Sequence, residues 1–189
     1  MLGLEDSGNV RRLTNIWTTS RVSRFTGRDG PLNQRLMARA PLNVLVFPFR
    51  RTAVGAIEYA ILRRADEGDD CWQGVAGGAE IGETAEEAAR REFFEEAGVA
   101  APTRWIALDS IASVPVEVFG DRHGWAADVY VVIERAFGAE LPSTQDITLS
   151  AEHTCYSWLS FGEATKLLRW DSNRTALWEL NRRLLAARA

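Results

Sequence analysis

Three glutamates in the middle of the chain could hold a metal ion. Glu92, Glu95 and Glu96 are spaced i, i+3 and i+4, and a helix gathers such residues onto one face within about 5 to 6 Å. Like charges so close repel one another unless a cation lies among them. Carboxylate oxygens suit a hard ion such as Mg²⁺ or Mn²⁺, which also binds substrate phosphates. The spacing therefore predicts a divalent metal site that handles phosphate.

The helix that carries these glutamates has recognisable ends. Thr84, with Glu87 three residues later, forms a capping-box pattern for its start. Gly98 is placed to end it in the left-handed conformation. An apolar stripe runs beside the acidic face; its members are Ala85, Ala89, Phe93 and Ala97. One side of the helix is thus expected to pack on a core while the other meets solvent or metal.

A glycine-rich segment precedes this helix. On its own, a Glu-rich helix that also carries arginines is more often a solvated surface. Glycines favour a functional interpretation, because backbone without side chains can turn tightly or approach a ligand closely. They are Gly74, Gly77, Gly78 and Gly82. We therefore expect a glycine-rich loop beside the metal.

Residues 77 to 99 resemble the signature of the Nudix hydrolases: Gly77, five residues, Glu83, seven residues, then the run from Arg91 to Val99. The resemblance implies that family's fold, a mixed β-sheet sandwiched between helices, and metal-dependent pyrophosphate chemistry. The matches to the metal ligands are Glu92, Glu95 and Glu96. Glu83 and Arg91 match residues that orient this cluster through a charge-assisted pair, with Arg91, Glu95 and Glu96 counted in the catalytic set. Gly77 and Gly78 match the loop that shapes the metal site.

Flanking segments are similar to one subgroup, the bacterial dihydroneopterin triphosphate pyrophosphatases. The run at residues 71 to 80, CWQGVAGGAE, looks like its Trp-Gln-x-Val-x-Gly motif, and residues 150 to 159 and 170 to 174 are similar to later segments. By this resemblance Glu152 is an extra catalytic carboxylate from outside the box. Either Glu95 or Glu152 would accept the proton of the attacking water. The implied reaction converts dihydroneopterin triphosphate or a deoxynucleoside triphosphate to a monophosphate and pyrophosphate.

Other polar and aromatic residues are candidates for contact with the substrate. Trp72 could stack on a heterocycle, although a core tryptophan is an equally good interpretation, and Gln73 adjoins it. His123 lies in a glycine-flanked loop. By contrast, His153 is expected to be a structural group, and Asn173 to cap a helix.

The composition bounds the rest. A chain of 189 residues with 46% hydrophobic content and a net charge of −4 fits one domain, with no general affinity for nucleic acid or anionic membranes. We expect a Nudix domain at 41–189 after an extension of unknown role at 1–40. With two distant cysteines and no segment like a secretory signal or membrane span, a cytoplasmic location is expected. The oligomeric state is left open, with a homodimer among the expectations.

Apolar and alternating runs predict strands at 44–49, 58–63, 104–111, 114–119, 128–137 and 154–159. Later helices are expected at 161–168 and 173–187, the last with a buried stripe of Leu177, Leu180, Leu184 and Leu185. Strands with helices on both sides imply an α/β/α sandwich.

Other functions on the same fold are left open. The machinery could act on another nucleoside diphosphate derivative, such as ADP-ribose. A Nudix module could also sense a nucleotide without cleaving it, although such modules typically lose box carboxylates that this chain keeps. An isoprenyl diphosphate isomerase would need a catalytic cysteine, for which Cys71 and Cys155 have no matching context.

Overall fold

A seven-stranded mixed sheet and three helices make up the part of the chain that the computed structural model describes, residues 39–65 and 71–187. The strands are β1 (Arg39–Arg51), β2 (Ile57–Arg64), β3 (Trp72–Gln73), β4 (Val75–Glu80), β5 (Arg104–Pro115), β6 (Val131–Leu141) and β7 (His153–Leu159). The helices are α1 (Ala85–Ala97), α2 (Phe161–Leu167) and α3 (Asp171–Ala186). Residues 1–38, which make up most of the expected extension, lie outside the described residues.

β1 organises the sheet. It pairs in parallel with β6 over residues 42–50, and antiparallel with β2 and β4 at its two ends. β5 extends the sheet beyond β6, while β3 and β7 both pair with β2. β4 pairs with β1 as its one strand neighbour among the described residues, so it lies at an open edge, and α1 packs against it.

The sheet separates two hydrophobic cores. Val44 and Val46 of β1 belong to the core beneath α1, which includes Phe93. Leu45 and Phe47 belong to the core beneath α2 and α3, because successive side chains of a strand point to opposite faces. The predicted α/β/α sandwich is confirmed.

The predicted ends of α1 are confirmed. The Thr84 hydroxyl accepts a hydrogen bond from the Glu87 amide at 3.2 Å, and the Glu87 carboxylate accepts one from the Thr84 amide at 2.8 Å. Gly98 takes the left-handed conformation at φ 68°. These caps fix the two ends of α1, and the three glutamates of its acidic face lie between them.

Several boundaries differ from prediction. Residues 116–118 form a 3-10 turn instead of a strand, and β6 starts at Val131. α3 starts at Asp171, so Asn173 is not its cap; its side chain is buried and accepts a hydrogen bond from the Gly74 amide at 3.3 Å. Leu185 is 44% exposed, outside the buried stripe. The Asn173 contact is tertiary in origin, because its partner Gly74 lies 99 residues away in sequence.

Within the described residues, no helix combines the length and apolar character needed to cross a lipid bilayer. The cytoplasmic location and the homodimer stay predictions.

Candidate active site

Gly77 lies in β4 directly beside the carboxylate of Glu92. A Cβ at Gly77 would overlap the Glu92 carboxyl group, so close approach alone demands glycine. The expectation that Gly77 and Gly78 lie in a loop is wrong: they pair with Val44 and Asn43 of β1 as ordinary strand residues. The absent side chains let α1 pack close enough for Glu92 to reach the strand.

Arg91 links the polar groups around this contact. Its guanidinium donates two hydrogen bonds to Glu83, at 2.8 and 2.9 Å, and one to the Gly78 carbonyl at 2.9 Å. It also donates to Glu92 at 2.8 Å and lies 3.3 Å from Glu95. A two-pronged pair of this kind fixes the orientation of both partners. Arg91 therefore joins the end of β4 to the acidic face of α1.

These contacts shift the pKa values of Glu83 and Glu92. The hydrogen bonds from Arg91 hold the pKa of Glu83 below its usual value. Burial raises the pKa of Glu92, and the Glu96 charge adds to the rise, whereas Arg91 and Arg39 oppose it. Glu92 and Glu96 are thus electrostatic neighbours in a poorly solvated place, where a bound cation would favour the ionised form of Glu92.

Glu96 has a partner that the sequence did not reveal. His153 Nε2 lies 2.8 Å from Glu96 Oε2, and the two side chains are 0% and 3% exposed. Within the described residues, His153 Nδ1 has no hydrogen-bond partner. His153 was expected to be a structural group, and that prediction did not include this contact with Glu96.

The donor set of α1 fits a divalent cation. Glu92, Glu95 and Glu96 offer the oxygen ligands that Mg²⁺ and Mn²⁺ prefer, and Glu95 is exposed to solvent. No three described His, Cys, Asp or Glu side chains already converge as a metal cluster. Glu92 instead binds Arg91 and Glu96 binds His153, so these carboxylates would have to share or exchange partners to hold an ion.

Glu152 follows a loop that docks on the end of α1. The Thr148 amide donates to the Ala97 carbonyl at 2.9 Å, and the Ser150 amide to the Glu96 carbonyl at 3.2 Å. Glu152 itself is exposed, and its carbonyl accepts a hydrogen bond from the Ala65 amide at 2.9 Å. The loop therefore returns to the acidic helix, while the catalytic role of Glu152 stays a prediction.

Trp72 and Gln73, the two residues of β3 that were predicted to contact the substrate, point to opposite faces of the sheet. Trp72 packs against the core beneath α2 and α3, away from the carboxylates. Gln73 is 7% exposed and pairs with Leu62, a member of the core beneath α1, and directly paired residues share a face. Of the two, the structure brings Gln73 to the α1 side.

His123 lies in a short 3-10 helix, Gly120–Gly124, and is exposed. Trp125, just after this helix, donates a hydrogen bond from its indole to the Arg39 carbonyl at 2.6 Å. The segment therefore approaches the start of β1, where Arg39 pairs with Glu80 of β4. His123 contacts none of the predicted site residues among the described hydrogen bonds.

Comparisons with known proteins match the chain to Nudix proteins. The NUDIX domain model matches residues 40–179. The chain is 33% identical to Escherichia coli dihydroneopterin triphosphate diphosphatase over 141 residues, 74% of this chain and 91% of the relative. A NUDIX hydrolase structure from Listeria monocytogenes superposes with a TM-score of 0.68 at 41% identity, covering 78% of this chain and 97% of that one.

The solved structure of the Escherichia coli dihydroneopterin triphosphate pyrophosphohydrolase superposes with a TM-score of 0.62 at 30% identity, covering 77% of this chain and 99% of that one. The chain thus belongs to the Nudix family and is a hydrolase that acts on phosphoanhydrides.

Proposed function

We propose that the protein is a divalent-metal-dependent pyrophosphohydrolase of dihydroneopterin triphosphate, or of a purine deoxynucleoside triphosphate, that releases a monophosphate and pyrophosphate. The main structural support for this proposal is the carboxylate face of α1, where the Glu92 carboxylate packs against Gly77, which has no side chain. The relative named for this reaction supports the choice of substrate.

Side chains next to the carboxylates would hold them in a fixed orientation. Arg91 fixes Glu83 and Glu92, and His153 fixes Glu96. A bound divalent cation would neutralise charge on the phosphates and lower the pKa of the attacking water.

In the proposed reaction, water attacks the α phosphorus in line, and the bond to the bridging oxygen of the β phosphate breaks. The proton of the water passes to a carboxylate, for which Glu95 and Glu152 are the candidates. Both are exposed and so can meet substrate. Pyrophosphate leaves with the bond electrons, and the monophosphate keeps the new oxygen.

The test compares triphosphates, ADP-ribose and dinucleotides after EDTA treatment and return of Mg²⁺ or Mn²⁺. Reaction in ¹⁸O-labelled water locates the attacked phosphorus, since attack at the α position labels the monophosphate. Glu96→Gln should lower the rate by about 10² to 10⁴, the range for loss of a charge-stabilising group. Glu86→Gln is the matched control, because Glu86 lies exposed on the same helix and pairs with Arg90.

Three results would contradict the proposal. They are near-normal metal-dependent turnover by a folded Glu96→Gln variant, clear preference for ADP-ribose, and tight nucleotide binding without product. The last would identify a sensing module.

A further inference from the structure

The segment that connects β5 to β6 is closed by contacts of its own. At its base, the Val116 amide donates a hydrogen bond to the Tyr130 carbonyl at 3.1 Å. Within the segment, the rings of Phe119 and Trp125 meet edge to face, with 5.7 Å between their centroids. Aromatic pairs prefer this geometry. The ring of Trp125 is therefore held in place, and its indole N–H can serve as a fixed donor to a neighbouring element.

The Trp125 indole donates its hydrogen bond to the first residue of β1. The acceptor is the carbonyl of Arg39, at 2.6 Å. The pairing of β1 with β4 is irregular here: the register advances four residues on β1, from Arg39 to Asn43, but two on β4, from Glu80 to Gly78. Such a bulge interrupts the ladder and can aim a side chain in a new direction. The bond from Trp125 thus holds the main chain at a point that the ladder supports less well.

The side chain of Arg39 extends toward the acidic helix. Because Gly78 has no side chain, Arg39 packs against it: a Cβ there would lie 3.0 Å from Arg39 Nη1 and 3.2 Å from its Cδ. Arg91 donates a hydrogen bond to the carbonyl of the same glycine, and the charge of Arg39 acts on the Glu92 carboxyl group. Two guanidinium groups thus meet at Gly78, beside a carboxylate assigned to the metal. A guanidinium matches phosphate oxygens with paired N–H donors.

We propose that Trp125 is a positioning residue that acts through Arg39. Its indole holds the bulged start of β1 and thereby directs the Arg39 guanidinium at the phosphates of the substrate. The acceptor is a main-chain carbonyl, so the bond can form whatever side chain residue 39 carries. Its loss should consequently affect the substrate through that side chain. The inference rests on the proposed function, which supplies the phosphates that Arg39 would contact.

A double-mutant cycle with Trp125→Phe and Arg39→Gln tests this coupling. Trp125→Phe keeps a ring against Phe119 but removes the donor, so KM for the preferred triphosphate should rise about 2- to 10-fold with little change in kcat. Arg39→Gln should lower kcat/KM about 10- to 100-fold, the range for a hydrogen bond to a charged group. In the Arg39→Gln protein, adding Trp125→Phe should alter kcat/KM less than about twofold, because the group through which it acts is already absent.

Binding of inorganic pyrophosphate with Mg²⁺, measured by titration calorimetry, follows the same contacts without turnover. Trp125→Phe should weaken this binding about 2- to 10-fold in the wild-type background and leave it unchanged in the Arg39→Gln background. Trp178→Phe is the matched control, because it makes the same substitution at an exposed tryptophan of α3, and it should change neither measurement. Thermal unfolding checks that each variant retains its fold.

The positioning role is overturned if Trp125→Phe equals the wild type in both assays, or if it weakens binding equally in the wild-type and Arg39→Gln backgrounds. A wild-type protein that binds no pyrophosphate would also overturn it, since Arg39 would then contact no phosphate. Arg39-dependent pyrophosphate binding that responds to Trp125→Phe, without hydrolysis of any triphosphate, would instead contradict the proposed function and leave the role of Trp125 supported.

Discussion

His153 Nε2 lies 2.8 Å from Glu96 Oε2 although 57 residues separate them in sequence. Both side chains are buried, so water cannot replace the contact. Because Nδ1 has no partner among the described residues, a proton on Nε2 gives the one hydrogen bond that this ring can make there. The imidazole thereby fixes one oxygen of a carboxylate that we assign to the metal.

Removing this donor should weaken the metal site more than the fold. His153→Leu is expected to lower both kcat/KM and Mn²⁺ affinity about 10- to 100-fold, the usual effect of losing a group that orients a ligand. His153→Gln keeps an N–H donor and should recover part of the loss. Electron paramagnetic resonance of bound Mn²⁺ gives affinity apart from turnover. Equal Mn²⁺ affinity in the Leu variant and the wild type would rule out the orienting role.

Gly77→Ala should inactivate the enzyme by displacing Glu92, because the new Cβ would occupy the space of the carboxylate. We expect a rate loss of about 10² or more, comparable to removal of a charge-stabilising group. Gly162→Ala is the control: a Cβ there meets nothing within 4 Å, and alanine in a helix is favoured by roughly 0.5 to 1 kcal/mol. Steady-state rates and thermal unfolding of both variants provide the check; a fully active Gly77→Ala protein would be incompatible with the packing.

Glu152→Gln should lower turnover by about 10² or more while changing KM little, as expected for a proton acceptor that acts mainly in the transition state. Glu117→Gln, at another exposed glutamate, is the control. Full kinetics with the preferred triphosphate distinguish the two parameters. Unchanged turnover would leave Glu95 as the remaining candidate.

Glu134 should make stability depend on pH. Burial raises the pKa of its carboxyl group above the ordinary value of 4.5, so the folded chain binds this proton more tightly than the unfolded chain does. The resulting stability is present below pH 4.5 and is lost as the pH rises through the raised value. The free energy of unfolding of Glu134→Gln should therefore exceed that of the wild type at pH 7 by on the order of 1 kcal/mol. The difference should be smaller at pH 4. Urea unfolding at both pH values tests this, and a variant less stable than wild type at pH 7 would contradict it.

Local sequence was sufficient to predict the ends of α1 and its acidic face. The capping residues Thr84 and Gly98 and the i, i+3, i+4 carboxylates act within one helix, so their arrangement follows from helical geometry alone. The box also indicated the closeness of Glu83 and Arg91, which are eight residues apart. The layered fold followed because apolar runs and helices alternate along the chain.

Long-range pairing explains what the sequence did not predict. The glycine run was expected to be a loop because glycine usually marks turns, yet β1 supplies partners that make it a strand. The Asn43–Glu134 contact spans 91 residues, and no periodicity connects such positions. Trp72 and Gln73 were considered together, but strand alternation directs them to different cores.

The loop that docks on the last turn of α1 couples assembly of the site to local folding. The Thr148 and Ser150 amides bind carbonyls at the C-terminal end of the helix, which otherwise lack intrahelical partners, and His153 follows three residues later. Helix end, loop and histidine should consequently open as one cooperative unit. Amide hydrogen exchange at Thr148 and Ser150 would then report, in the resting enzyme, how often Glu96 loses its buried partner.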